Sequence, residues 1–395
     1  MLNPPDWLQH LVRLGFLVLL GLVVALVMPW HVSNYQLTQW VTFGEPTLMM
    51  RALPSLLTWA FFDFPVSKAD LFILFFFTVL AFNFIWALVI WLSLRSLPTL
   101  PFVTIGLLAF TGVWFSINNA LLPNTDPLMY LPAALGLLAY LVVGPSVWLL
   151  PVTWLLAAVS LYVHPGAVFS AIPLLVVAPV LLHARGAWSW RTVGLLTTSL
   201  VVIGSIVVTA ARFDPPRPSD AEFPSVIAAE LAAIQARADF RLGQLAAVNK
   251  FRNLDDVLGQ TVRGDREFHG IRMASPRWYY ALPSAAFLIV KIALLLALLS
   301  WNGLRTALAV WNPWQRLLAL GVVLAPLPLF VLGLDYQRWI GFVDFNLTVI
   351  VLLLFYQTQR AGQALVLNTA VLPWIGNLLF FQLLVAIAAT RFVVG

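Results

Sequence analysis

Gly333-Leu334-Asp335-Tyr336-Gln337-Arg338-Trp339 stands between two apolar runs and sets an acid and an arginine three residues apart. On a helix those two side chains share a face, and a charge at a membrane boundary requires pairing, hydration or a ligand. Arg338 could hold a diphosphate through its planar fork of donors, while Asp335 orients it or accepts a proton. The same residues also fit a structural ion pair closing a tight turn, with Trp339 as an interface anchor. His164, between Leu161-Tyr162-Val163 and Pro165-Gly166, could act as a general base, donate to a phosphate oxygen, or simply cap a helix.

The remaining candidates sit in two polar stretches. Glu45, Arg51 and Asp63 fall within 31–70, and Asn118, Asn119 and Asp126 within the turn Asn118–Pro127. A carboxylate facing an outer cavity could deprotonate an acceptor hydroxyl, and the paired asparagines could bind hydroxyls or turn the chain. Arg263, Arg266, Arg272 and Arg277 could meet an anionic substrate or lipid headgroups, but Asp265 and Glu267 among them favour a solvated loop.

What must position these residues is a membrane body. Hydrophobic residues make up 61% of the chain and charged ones only 10%, with a mean hydropathy of +0.92, far from the balance of a soluble domain. The 17 Trp and 28 Phe suit a body that meets lipid and two interfaces. Cysteine is absent, which excludes disulfides, thiolate metal sites and cysteine nucleophiles. Between Arg212 and Tyr280 the chain carries 10 Lys/Arg against 9 Asp/Glu, so the net charge of +6 comes from the short connections and not from a nucleic-acid patch. No Walker-type loop, HExxH or GxSxG motif occurs, and the few carboxylates give a divalent cation no positive support.

A bilayer core needs about 20 residues of helix. The apolar runs predict an all-α, polytopic helical bundle, a single membrane domain over 1–395 with about eleven spans (nine to twelve): 14–30, 71–94, 102–119, 128–143, 146–163, 167–183, 192–211, 281–301, 317–334, 340–356 and 374–391. The first run lacks a small-x-small cleavage site, which predicts a retained span. The fourth and fifth runs meet at Gly144-Pro145 and also fit a re-entrant hairpin; Trp301–Arg316 has room for a short interfacial helix. Loop 31–70 mixes aromatics with charges as interfacial helices do, and 212–280 is one large loop in which Pro224–Val248 reads as helix and Arg252–Pro276 as irregular. Alternation of spans puts Arg95, Arg185, Arg191, Arg305, Arg316 and Arg360 on one side, with no acid in those connections. The positive-inside rule then predicts a cytoplasmic N-terminus and an extracytoplasmic face holding nearly every candidate residue.

At His164, the apolar run with Pro173 that follows it, and Asp335-Tyr336-Gln337-Arg338-Trp339, the chain resembles bacterial polysaccharide polymerases of the Wzy and EpsG-like kind. The resemblance covers two short stretches. It implies a polytopic inner-membrane enzyme that joins polyprenyl-diphosphate-linked sugar units on the outer face, alongside membrane lipids and polysaccharide-assembly proteins. It also implies diphosphate-binding or acid–base roles for His164, Asp335 and Arg338. Independently, a lipid-linked donor brings its own leaving group, so no cofactor or nucleotide domain is needed. His164 and Asp335 are then the expected catalytic residues. Arg338, Arg51, Trp339, Asn119 and Asp126 are expected to bind substrate, and Glu45 or Asp63 is the base if a carboxylate of the first outer loop serves instead.

Two other classes fit the composition. A transporter or flippase for a lipid-linked or hydrophobic substrate needs a polar path, for which Lys291, about ten residues into its span, is the main mid-span candidate. A non-catalytic membrane subunit would instead bind a partner through Pro224–Val248.

Overall fold

The computed structural model describes residues 6–26, 37–42, 52–115, 125–144, 146–182, 190–211, 222–242, 267–268, 271–272, 282–332, 336–365 and 367–392. Helices α1 (Asp6–Leu26), α2 (Ala52–Phe61), α3 (Lys68–Leu94), α4 (Thr99–Ala109), α5 (Asp126–Val143), α6 (Leu150–Val163) and α7 (Ala171–Leu182) form the N-terminal half. They are followed by α8 (Trp190–Ala211), α9 (Phe223–Gln235), α10 (Leu282–Leu308), α11 (Pro313–Leu324), α12 (Leu327–Leu332), α13 (Tyr336–Arg360) and α14 (Leu372–Phe392). Among the described residues the fold is all-helical apart from a ribbon of two residues per strand, Glu267–Phe268 against Ile271–Arg272, and an isolated bridge at Val66.

Among the described residues, seven helical stretches are long and apolar enough to cross a membrane: Asp6–Leu26, Lys68–Leu94, Asp126–Val143, Pro165–Leu182, Leu282–Leu308, Pro313–Phe330 and Arg338–Arg360. Shorter apolar helices, Thr99–Ala109, Leu150–Val163, Leu196–Thr209 and Thr369–Leu384, lie over the other four expected runs.

Side-chain bonds between helix ends sort the molecule into two poles. At one, Arg13 of α1 donates to the carbonyls of Arg95 (3.0 Å) and Leu97 (2.9 Å) and to Thr99 Oγ1 (3.0 Å), tying the start of α1 to the end of α3 and the start of α4. Gln359 near the end of α13 donates to Ser93 O (3.0 Å). Trp311 Nε1 and Gln357 Nε2 both reach Leu181 O at the end of α7, and Gln315 Nε2 reaches Val180 O. This pole carries the exposed Arg95, Arg305, Arg316 and Arg360 and the exposed Trp7, Trp148, Trp301, Trp314 and Trp374, the pairing of cations and indoles that marks a headgroup region. Arg13 itself is buried within α1, its chain packed under the α3–α4 turn and its guanidinium 5.2 Å from the centre of the Phe102 ring.

The opposite pole gathers the starts of α5 and α13, the end of α6 and pieces of both long loops. Thr125 Oγ1 donates to Gln39 Oε1 (2.8 Å), Ser55 Oγ to Gln39 O (3.0 Å), and Arg237 Nη1 to Thr42 O (2.6 Å). Val66 and the 237–239 segment exchange backbone bonds of 2.9 and 3.0 Å, a short parallel bridge that joins the two loops. That bridge explains why helix α9 stops at Gln235 instead of running on toward Val248. Gln235 turns its amide to Ala238 O, Phe240 O and Leu242 N, satisfying the extended chain that Val66 pairs with.

Local signals set the other boundaries. Ser67 and Asp70 form a capping box at the start of α3, as do Asn312 and Gln315 at the start of α11. Helix α10 breaks at Ser300 (φ 54°), leaving a short final helix with Trp301 exposed, where the sequence leaves room for an interfacial piece. The third expected span, 102–119, is interrupted: α4 ends at Ala109, and Gly112 takes φ +147°.

Candidate functional site

Asp126 opens α5 and Arg338 lies in the first turn of α13, so the two N-termini bring an acid and a cation together at the pole opposite the arginine-rich one. Asp126 is fully buried and Arg338 is 8% exposed. Arg338 Nε donates to both carboxylate oxygens (2.8 and 2.7 Å) and Nη2 also bonds Oδ1, a forked, charge-assisted pair. Two N-terminal helix ends each contribute about half a positive charge. The backbone there favours Asp126 and opposes Arg338.

Beneath the pair lies an aromatic floor. The Arg338 guanidinium sits 5.6 Å from the centre of Phe342, Phe342 meets Tyr130 at 5.5 Å, and Tyr130 packs on Trp114 (4.6 Å) and Phe345 (4.8 Å). Tyr130 Oη donates to Asn346 Oδ1 (3.3 Å), while Asn346 Nδ2 donates to Val322 O (2.9 Å) and Ser170 O (3.3 Å). The ring planes meet at 46° to 69° and all four rings are buried, so the guanidinium is backed by an interlocked aromatic cluster.

His164 closes the end of α6 at the same pole. It ends the helix in extended conformation and starts the turn Pro165–Phe169, its Nδ1 accepting the Gly166 N–H at 2.9 Å. A neutral imidazole that accepts at Nδ1 carries its proton on Nε2. In this arrangement the ring can donate a hydrogen bond, while service as a base through Nε2 requires a tautomer change that breaks the cap.

The other expected residues divide. Trp339 is buried and packs edge-on against Phe330 at 5.4 Å, not set at the lipid boundary. Asp63 is exposed in the turn between α2 and α3. Asp335, Arg51, Asn119 and Glu45 lie outside the described residues. Among the described residues no group of three His, Asp or Glu side chains converges as a metal-ligand set.

A second charged pair, on which sequence reading names only one partner, lies deep in the bundle. Lys291 Nζ is 2.8 Å from Asp344 Oδ1 and donates to Thr348 Oγ1 at 2.8 Å, with Lys291 and Asp344 1% and 0% exposed. The signal was present: Lys291 and Asp344 are each the single charged residue of an apolar run, and two such charges in hydrocarbon seek each other.

No protein-family model matches the chain, and neither does any curated protein or solved structure.

Proposed function

We propose that the chain is a bacterial inner-membrane glycosyl transferase or polymerase acting on polyprenyl-diphosphate-linked sugars, with chemistry at the Asp126–Arg338 pole. The supporting observation is the buried, forked Asp126–Arg338 pair at two helix N-termini. A forked guanidinium in a dry site stabilises the negative charge that develops on a departing diphosphate. In the transfer, an acceptor hydroxyl oxygen bonds the anomeric carbon of the donor sugar. The bond from that carbon to the diphosphate oxygen breaks, and polyprenyl diphosphate leaves with the bonding pair. Arg338 steadies the departing charge, His164 donates from Nε2 to a phosphate oxygen, and Asp335 takes the acceptor proton. The orientation belongs to the same proposal: about eleven crossings, N-terminus and arginine-rich pole toward the cytoplasm, loops 31–70 and 212–280 outside.

Purified protein in proteoliposomes, supplied with a polyprenyl-diphosphate-linked oligosaccharide, should release polyprenyl diphosphate as the glycan lengthens. Arg338→Ala that inserts normally should do both about 10²–10³-fold more slowly; wild-type chain lengths from that variant contradict the assignment.

A second reading, transport of a lipid-linked or hydrophobic molecule, draws on the deep Lys291–Asp344 pair beside an interrupted helix. Uptake of an unaltered solute into sealed vesicles, without diphosphate release, would select it.

A further inference from the structure

The interruption after α4 leaves broken helix ends where water cannot reach them, and in hydrocarbon each unpaired backbone group costs several kcal/mol. The structure meets that demand with side chains from three other helices. Trp114 N–H donates to Asp344 Oδ2 at 3.1 Å, and Gly112 N–H donates to Gln382 Oε1 of α14 at 2.9 Å. Ala109 O accepts from Trp86 Nε1 of α3 at 3.3 Å. Lys291 lies beside the carbonyl end of α4, lining the same small cavity as Leu108 and Ala109. The Leu107 and Leu108 carbonyls accept from Phe110 N, Thr111 N and Thr111 Oγ1, Asp344 takes the amide that resumes the chain, and Lys291 holds that carboxylate from a place beside the carbonyl end of α4, where an ammonium suits the negative terminus. Gly112 is the residue this geometry demands, because a Cβ there would collide with Asp344 Oδ2 and stand 2.8 Å from Lys291 Nζ.

What the splice holds in place is Trp114. Its ring lies between Tyr130 (4.6 Å) and Phe345 (4.8 Å), two members of the floor under Arg338, and is 1% exposed. Its indole Nε1–H has no hydrogen-bond partner among the described residues. We propose that Lys291 and Asp344 are positioning residues that join the interrupted helix at Gly112 and thereby fix Trp114 as part of the floor of the Asp126–Arg338 site. The functional half of this inference rests on the glycosyl-transfer reading, whereas the joining of the helix does not.

The two halves are read separately. Hydrogen exchange of the 108–115 peptide in nanodiscs reports the splice, and binding of farnesyl diphosphate, as a minimal lipid diphosphate, reports the site. Asp344→Asn should speed exchange of that peptide at least tenfold and weaken farnesyl diphosphate at least fivefold. The swapped variant Lys291→Asp/Asp344→Lys keeps an ion pair but sets the wrong charge at each broken end, so it should show both defects. Wild-type exchange and binding in the swapped variant would reduce the pair to a generic ion pair and overturn the proposal. Thr348→Val keeps both charges and removes only the hydroxyl that steadies Lys291, so it provides a gentler variant should the others fail to insert. It should accelerate exchange severalfold, and unchanged exchange there counts against the splice. If wild-type protein binds no farnesyl diphosphate while the exchange results hold, the glycosyl-transfer reading falls and the splice stands.

Discussion

Two buried ion pairs among the described residues use the same chemistry in opposite backbone fields. Lys291 and Asp344 each stand where the local backbone welcomes their charge, at the carbonyl end of α4 and at the Trp114 amide. Asp126 and Arg338 both stand at N-terminal helix ends, which suit the acid and oppose the arginine. A pair satisfied on both sides has nothing left to attract and reads as architecture. A pair with one member held against its backbone field is the one at which the proposal places the departing diphosphate.

That contrast can be broken first at the deep pair. Lys291→Met or Asp344→Leu alone strands a charge in hydrocarbon and should destabilise the protein by about 3–5 kcal/mol, whereas the double variant should recover most of the loss. Melting in detergent measures this; additive losses in the double variant would erase the pair as a unit. At the other pole, Arg338→Ala should lower transfer about 10²–10³-fold, and Arg338→Lys should fail to restore it, since an ammonium lacks the fork. Full activity in Arg338→Lys would make a point charge sufficient. Arg13→Gln removes charge-assisted bonds to two carbonyls and should reduce stability by about 1.5–3 kcal/mol without altering transfer in the protein that remains folded. The smallest effect is expected at Gly166→Ala. Its Cβ would lie 2.8 Å from His164 Nδ1, so losing that cap should cost about 0.5–2 kcal/mol and move the imidazole donor, measurable as a raised KM.

Hydropathy and charge made the helical body legible because a bilayer demands long apolar runs whatever their partners. They did not reveal the end of α4: Val113, Trp114 and Phe115 continue the apolar run past Gly112, so the break leaves no dip in hydropathy, and its repair comes from distant Asp344 and Gln382. Arg338 stood out since a cation beside an apolar run is conspicuous, and Asp126 was visible only as one acid among several. Their union joins residues 212 apart in sequence, a distance no local spacing encodes. The stop of α9 at Gln235 was hidden for the same reason, being set by Val66 in another loop.

The proposed chemistry requires the Asp126–Arg338 pole to face away from the cytoplasm. Because the chain contains no cysteine, single cysteines placed at exposed positions report sidedness without background. Intact cells carrying Asp63→Cys or Arg305→Cys can be treated with a membrane-impermeant maleimide. Position 63 should label before permeabilisation and position 305 only after it; the reverse pattern, or labelling of both from one side, would contradict the proposed sidedness.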